Sequence, residues 1–315
     1  MKVERLEVAS VSTGALMNYA RKISDTKFFH AIMKVEYLGG GSFGRAIGMT
    51  HWTKEITVFK FLLVKDMLEK EVEALKQLSK RCPVAMPRVL TYAKANKDIP
   101  LDYYAMTFVE GKPAINCPKL YKSKSSREAF KEEVITALHA IHEDVNDKYG
   151  DVSSPEYDDW FDYYRPFAEA VLEKARELNK EGKLSGKIVK TMEMAWSKFD
   201  VIFSEPVAQA SLIHGDLHTA NIMVDKEGRV TGFIDPWHTM YADREFDLLQ
   251  FNNLNKGWGL ADAYVKKYGG SKMVKQKLAF YGLWNEVYAV ELGAPLIPFI
   301  MKPLIKNAKK LLSAL

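Results

Sequence analysis

The sequence predicts an α+β fold in two lobes: an antiparallel-sheet lobe with one main helix over residues 1–110, then a larger, mostly helical lobe over 111–315. Three observations lead there. Before residue 65, apolar residues alternate with period two in three short segments, the first two joined by a glycine cluster. One amphipathic helical pattern follows them directly. Beyond Gly111-Lys112-Pro113 the period lengthens to that of long helices, broken once by a run of short strand-like segments.

Taken in order, the first thirty residues have no strong period and are expected to form an N-terminal helix. MKVEYL, RAIGMTHW and EITVFKFLL read as strands, with GGGSFG (Gly39 to Gly44) turning the first into the second. A helix is expected from about Asp66 to Arg81, stopped by Cys82-Pro83. PRVLTYA is a short segment after it, and LDYYAMTFVEG a further strand. In REAFKEEVITALHAIHEDV, the residues Phe130, Val134, Leu138 and Ile141 share one helix face. SLIHGDLHTANIMVDKEGRVTGFIDPW then supplies the short segments, with a hairpin turn at Lys226-Glu227-Gly228-Arg229. No internal repeat or low-complexity tract is visible.

Composition narrows the functional classes. The 315 residues are 47% hydrophobic and 27% charged, ordinary for a soluble globular protein and enough for a sizeable core. Two cysteines, Cys82 and Cys117, make neither a disulfide framework nor a zinc site. The N-terminal MKVERLEVASVSTG lacks the apolar run of a signal peptide. LGAPLIPFIM near the C-terminus is too short to span a bilayer and is expected to be buried. A cytoplasmic protein is expected, with no membrane and no nucleic-acid partner, as a monomer or homodimer. The net charge of +5 is uneven: residues 252–315 carry +7, from ten lysines against Asp262, Glu286 and Glu291. No nucleic-acid motif accompanies those lysines, so solvated helix faces are the better reading. Between Glu143 and Asp162, eight acids stand against Lys148 alone.

GGGSFG satisfies several patterns at once. Gly39, Gly41 and Gly44 make G-x-G-x-x-G, and Gly40, Ser42 and Gly44 make the G-x-S-x-G of a nucleophile elbow. A dinucleotide loop must leave a strand and open a helix, whereas a strand follows here. The elbow needs a parallel βαβ array that this chain lacks. Arg45 and Ala46 stand where a phosphate-binding P-loop wants Lys and Ser or Thr. A glycine-rich hairpin folding its amides over phosphate survives, with Ser42 and Phe43 at its tip. Such a loop calls for a lysine on the next strand and a helical glutamate to hold it. Lys60 in EITVFKF fills the first role. Glu71 fills the second, because it falls inside the apolar arc formed by Leu68, Val72, Leu75 and Leu78. A carboxylate facing the core needs a partner.

The stretch HGDLHTANIMV…FIDPW is the most informative. Asp216 and Asn221 stand as in H-x-D-x-x-x-x-N, and Asp235 follows after a hairpin. One carboxylate can orient an attacking hydroxyl and accept its proton. An amide oxygen and a second carboxylate are hard ligands suited to Mg²⁺.

With the glycine loop, Lys60 and Glu71, this set resembles the protein-kinase-like small-molecule kinases: the aminoglycoside phosphotransferases, choline kinases and fructosamine kinases. The resemblance runs from the glycine loop to about Phe251. It implies a protein-kinase-like bilobal fold using ATP and Mg²⁺ to phosphorylate a hydroxyl of a small molecule. It implies Asp216 as catalytic base, Asn221 and Asp235 as Mg²⁺ ligands, and Lys60, held by Glu71, on the α/β-phosphates. Gly39, Gly41, Ser42, Phe43 and Gly44 would cover the phosphates, and the backbone of Thr107, Phe108 and Val109 would bind adenine. TALHAIH resembles the family's L-x-x-L-H helix, which displaces the rival of a metal pair at His139 and His142. His218 and Asp235-Pro236-Trp237 depart from a protein kinase. DPWHTMYADREFDL resembles the fructosamine kinases, and its Asp243 and Asp247 are expected to brace the catalytic loop.

For the acceptor, an amino sugar, fructosamine-like or aminoalcohol substrate is expected. Asp158, Asp159 and Glu286 are candidate acids, and Trp160, Trp237 and Trp284 candidate aromatic surfaces. The alternative is a pseudokinase-like module that holds nucleotide without turnover.

Overall fold

Alternation and helical period are realised in two compact units of the computed structural model, which describes residues 7–28, 30–254, 256–313 and 315. One unit comprises the described residues from 7 to 80 together with Ala85–Val109, and the other Glu110–Leu315 together with Arg81–Val84.

The sheet unit begins with α1 (Thr13–Lys27), started by Ser12, whose hydroxyl accepts from the Ala15 amide at 3.3 Å. β1 (Ile32–Gly39), β2 (Gly44–His51) and β3 (Ile56–Leu62) follow, then α2 (Leu68–Arg81), β4 (Val89–Ala93) and β5 (Tyr103–Thr107). The strands lie in the order β1-β2-β3-β5-β4, each neighbour antiparallel. β3 shows why the period matters. Phe59 and Phe61 point to one face and join Leu16, Ala20 and Ile23 of α1 in a buried core. Lys60 between them points to the other face, where α2 supplies Glu71. The helix starts at Leu68 rather than at Asp66, because Asp66 takes a left-handed φ of +63° that interrupts helical geometry.

In the helical unit, β6 (Lys112–Pro113) precedes α3 (Pro118–Lys122) and α4 (Lys124–His142). β7 (Val145–Asn146), β8 (Gly150–Asp151), α5 (Trp160–Lys180), α6 (Gly186–Trp196) and α7 (Phe199–Ile202) follow. Then come β9 (Ala210–Leu212), β10 (Ile222–Val224), β11 (Val230–Phe233), β12 (Met240–Ala242), α8 (Leu249–Asn253), α9 (Leu260–Tyr268), α10 (Val274–Glu291) and α11 (Pro298–Leu312). Two small sheets, β11-β10-β6 and β7-β9-β12-β8, hold the loops between β9 and β12. α4 is shorter than its sequence pattern, since Val145 leaves the helix to pair with Ser211 of β9. α5 and α10 pack through aromatic rings: Tyr164 of α5 meets Tyr281 of α10 edge-on at 4.9 Å, and Trp284 of α10 donates its indole N–H to the Ala168 carbonyl of α5.

Two expectations fail here. LGAPLIPFIM is not buried along its length: Leu292 and Ile300 are, but Leu296, Ile297 and Phe299 are 36%, 37% and 72% exposed. Pro295 and Pro298 force the chain outward between α10 and α11, and Pro298 then opens α11. Among the C-terminal lysines, Lys277 is not on a solvated face. It is buried, 2.5 Å from Asp243 and 2.7 Å from Glu245. Among the described residues, no helix is long and apolar enough to cross a membrane.

Candidate active site

The glycine cluster is a true antiparallel hairpin, as β1 and β2 pair on both sides of it. Gly39 sits at φ +133°, a conformation L side chains rarely adopt. A Cβ on Gly44 would lie 2.9 Å from Lys60 Cε, so the missing side chain lets the lysine run alongside β2. The Phe43 carbonyl accepts from Leu63 N–H at 2.8 Å, and Ser42 is half-buried. Arg45, whose sequence position only counted against a P-loop, braces the hairpin by donating from Nη1 to the carbonyls of Gly41 and Gly44.

Lys60 Nζ lies 2.8 Å from Glu71 Oε2, with both side chains largely buried. Tyr104, directly opposite Lys60 across the β3–β5 ladder, donates its hydroxyl to the same Oε2 at 2.7 Å. The carboxylate is thus held from two sides. Sequence reasoning missed Tyr104, although strand pairing alone would have set it beside the lysine. At the end of β5, Thr107 bonds Arg88 through both backbone and hydroxyl, and Phe108 and Val109 continue the chain, Val109 buried.

In the helical unit, β9 delivers His214-Gly215-Asp216. The His214 and Gly215 amides donate to the two oxygens of Asp247, at 2.7 and 2.8 Å. Gly215 has φ +81°, and a Cβ there would sit 1.8 Å from the Trp237 carbonyl oxygen. Burial opposes ionisation of Asp247, yet bonds from His142 and from these amides hold its pKa below the usual carboxylate value. His142 is itself fixed by the Tyr264 hydroxyl at 2.6 Å. His139 stacks on the Tyr268 ring at 3.8 Å. Asp247 therefore braces the loop as expected. Asp243 does not: it binds Lys277 and accepts from the Tyr281 hydroxyl.

Asp216 is half-buried. Its Oδ1 accepts from Gln250 Nε2 at 2.6 Å, its Oδ2 from Asn221 Nδ2 at 3.2 Å, and its backbone carbonyl from the same Asn221 amide at 2.9 Å. Burial raises its pKa well above the ordinary value, and the negative charge of Asp235 adds to this. His218 Nε2 stands 3.6 Å from Oδ2, and burial lowers that imidazole to about 4, leaving it neutral. Asn221 also ties in the next loop, since its carbonyl accepts from the Ile234 amide at 2.9 Å. Asp235 is exposed and, like His238, takes a left-handed φ, at +57° and +55°. Non-glycine residues in that region cost energy and gather at functional sites.

The acceptor candidates divide. Glu286 is half-buried, accepts from Asn253 Nδ2 at 3.0 Å, and its charge is felt by Asp216. Burial raises its pKa. Trp237 is half-buried, edge-on to His238. Asp159 is occupied as the N-cap of α5, accepting from Phe161 N–H at 2.7 Å, and Asp158 forms an exposed pair with Lys148. Trp160 and Trp284 are buried in the helical core, so neither offers a face to a ligand.

A family model described as the phosphotransferase enzyme family matches residues 58–281. A probable ketoamine kinase of Staphylococcus aureus is 25% identical over 242 residues, covering 71% of this chain and 76% of that protein. In fold, a candidate fructosamine-3-kinase of Thermobifida fusca matches with TM-score 0.66 at 18% identity, over 93% of this chain and 98% of that one. A thermostable mutant of the aminoglycoside phosphotransferase APH(4)-Ia, solved with AMP-PNP and hygromycin B, matches with TM-score 0.68 at 14% identity, over 95% and 98%.

Proposed function

We propose that this chain, which belongs to the phosphotransferase enzyme family and is a small-molecule kinase, moves the γ-phosphoryl of ATP to a hydroxyl of an amine-bearing sugar. The observation that carries the reading is the hold on Asp216. One carboxylate oxygen faces Gln250 and the other Asn221, while Asn221 reaches toward Asp235 across the adjoining hairpin. In this reading Asp216 orients the acceptor hydroxyl and takes its proton. Lys60, kept in place by Glu71 and Tyr104, neutralises phosphate charge, and the hairpin from Gly39 to Gly44 covers the phosphates. The backbone of Thr107 to Val109 takes the adenine. Such catalysis is mostly positioning and charge stabilisation. The AMP-PNP of the APH(4)-Ia complex supports ATP as donor.

The donor set suits Mg²⁺. Asn221 and Asp235 present oxygen, the ligand type this hard cation takes, and the repulsion between Asp216 and Asp235 is the charge a cation relieves. Among the described residues, no group of three or more His, Cys, Asp or Glu side chains could hold a metal by itself. Phosphate oxygens and water would complete the shell, as is usual for Mg²⁺ at phosphate sites. When bound, the ion screens the charge that develops on the transferred phosphoryl group.

Glu286 and Trp237 are the side chains we assign to the acceptor, one pairing with its amine and one packing on its ring; Asp158 and Asp159, held by Lys148 and by the start of α5, are not part of this assignment. The S. aureus relative's name favours a ketoamine over an aminoglycoside. ADP release with fructosyl-lysine, ribulosyl-lysine, kanamycin and choline tests this directly. Asp216→Ala should lower turnover by a factor of about 10² or more, the general-base range, with nucleotide affinity preserved. Normal turnover in that variant, or none in the native enzyme with any acceptor, would sink the reading.

A further inference from the structure

Asp247, Gln250 and Asn253 stand three residues apart, from a tight 3₁₀ turn (Phe246–Leu248) into α8. That spacing places side chains on one face. Each reaches a functional element. Asp247 accepts the amides of His214 and Gly215, Gln250 donates to Asp216 Oδ1 at 2.6 Å, and Asn253 donates to Glu286 Oε1 at 3.0 Å. One short stretch thus grips the backbone of the Asp216 loop, its carboxylate, and the neighbouring acid on α10.

We propose that Gln250 is the positioning residue of the catalytic carboxylate: by holding Oδ1 it leaves Oδ2 as the oxygen that takes the acceptor's proton. The proposal rests on Asp216 being the base. Without Gln250 the carboxylate keeps one side-chain amide donor, Asn221, at the longer distance of 3.2 Å. It would then be free to turn about its last torsion, which is broad for aspartate. Stability gives little reason for the residue: Gln250 is buried between Leu249 and Phe251, also buried, where its bond to Asp216 offsets a desolvation cost that an aliphatic side chain would not incur.

The test is Gln250→Leu in the full-length enzyme, with fructosyl-lysine as acceptor. The expected result is kcat lower by about 10- to 100-fold, as for a misplaced catalytic group. KM for ATP should stay within about twofold, and the melting temperature should be unchanged or higher. Gln250→Glu, which keeps the length and removes the donor, should be no better. In an Asp216→Ala background, adding Gln250→Leu should cost nothing further, because the residue acts only through that carboxylate. Unchanged kcat in Gln250→Leu, a parallel loss of melting temperature and activity, or an additive loss in the double variant would each overturn the proposal. Full activity in Asp216→Ala alone would instead overturn the base assignment beneath it.

Discussion

Single residues here are legible when their partner is local. Glu71 could be assigned a buried partner because the helical wheel put it among Leu68, Val72 and Leu75, and the partner is Lys60 at 2.8 Å. Gln250, the second donor to Asp216, gave no such signal, since the bond spans 34 residues and exists only after packing; Tyr104, the second donor to Glu71, could be found only through the β3–β5 pairing. Glu291 is the opposite case, a buried carboxylate in which neither oxygen has a hydrogen-bond partner among the described residues. Burial pushes it from 4.5 to about 9, with Lys174 opposing and Glu177 adding. A folded pKa above the unfolded one means the native state holds the proton longer. Its stabilising contribution is therefore complete below about pH 4.5 and lost as pH rises through 9. Glu291→Gln should flatten the fall of melting temperature across that window and raise stability at pH 8, by on the order of a few kcal/mol. An unchanged pH profile would show that the carboxyl is ionised in the fold.

At the scale of elements, the loop after β9 depends on one backbone conformation. Gly215 combines a left-handed φ with a carbonyl oxygen where its Cβ would be. Gly215→Ala cannot be absorbed by a side-chain rotation, because the atom in the way is backbone. It should cost about 2 kcal/mol or more, the range for strained positions, and reduce kcat with it, read by thermal melts and turnover. Wild-type stability and activity would mean the loop moves freely. The strands and main helices were readable because period two and period 3.6 are local properties. The end of α4 and the exposed turn before α11 were not, because each was decided by a competing partner or by prolines in a tertiary setting.

For the whole molecule, charge counting proved coarse. The excess of lysines between residues 252 and 315 suggested solvated faces, yet Lys277 sits 4% exposed between Asp243 and Glu245 and ties α10 to the segment after β12. Breaking a buried ion network from one side leaves charge uncompensated. Lys277→Ala should cost about 3–5 kcal/mol, measured by denaturant unfolding. Lys277→Met with Asp243→Asn and Glu245→Gln should recover part of it. A loss under about 1 kcal/mol, the surface-pair range, would show the pair to be solvated.

The sequence alone determined the order of chemical groups: a glycine hairpin, Lys60, Glu71, then Asp216, Asn221 and Asp235. These depend on covalent spacing, strand alternation and helical periodicity, all short-range. Tertiary structure decided which second donors orient the carboxylates and which tryptophans are core. Those outcomes turn on contacts between segments more than thirty residues apart, where burial and hydrogen bonding, not local pattern, set the energy.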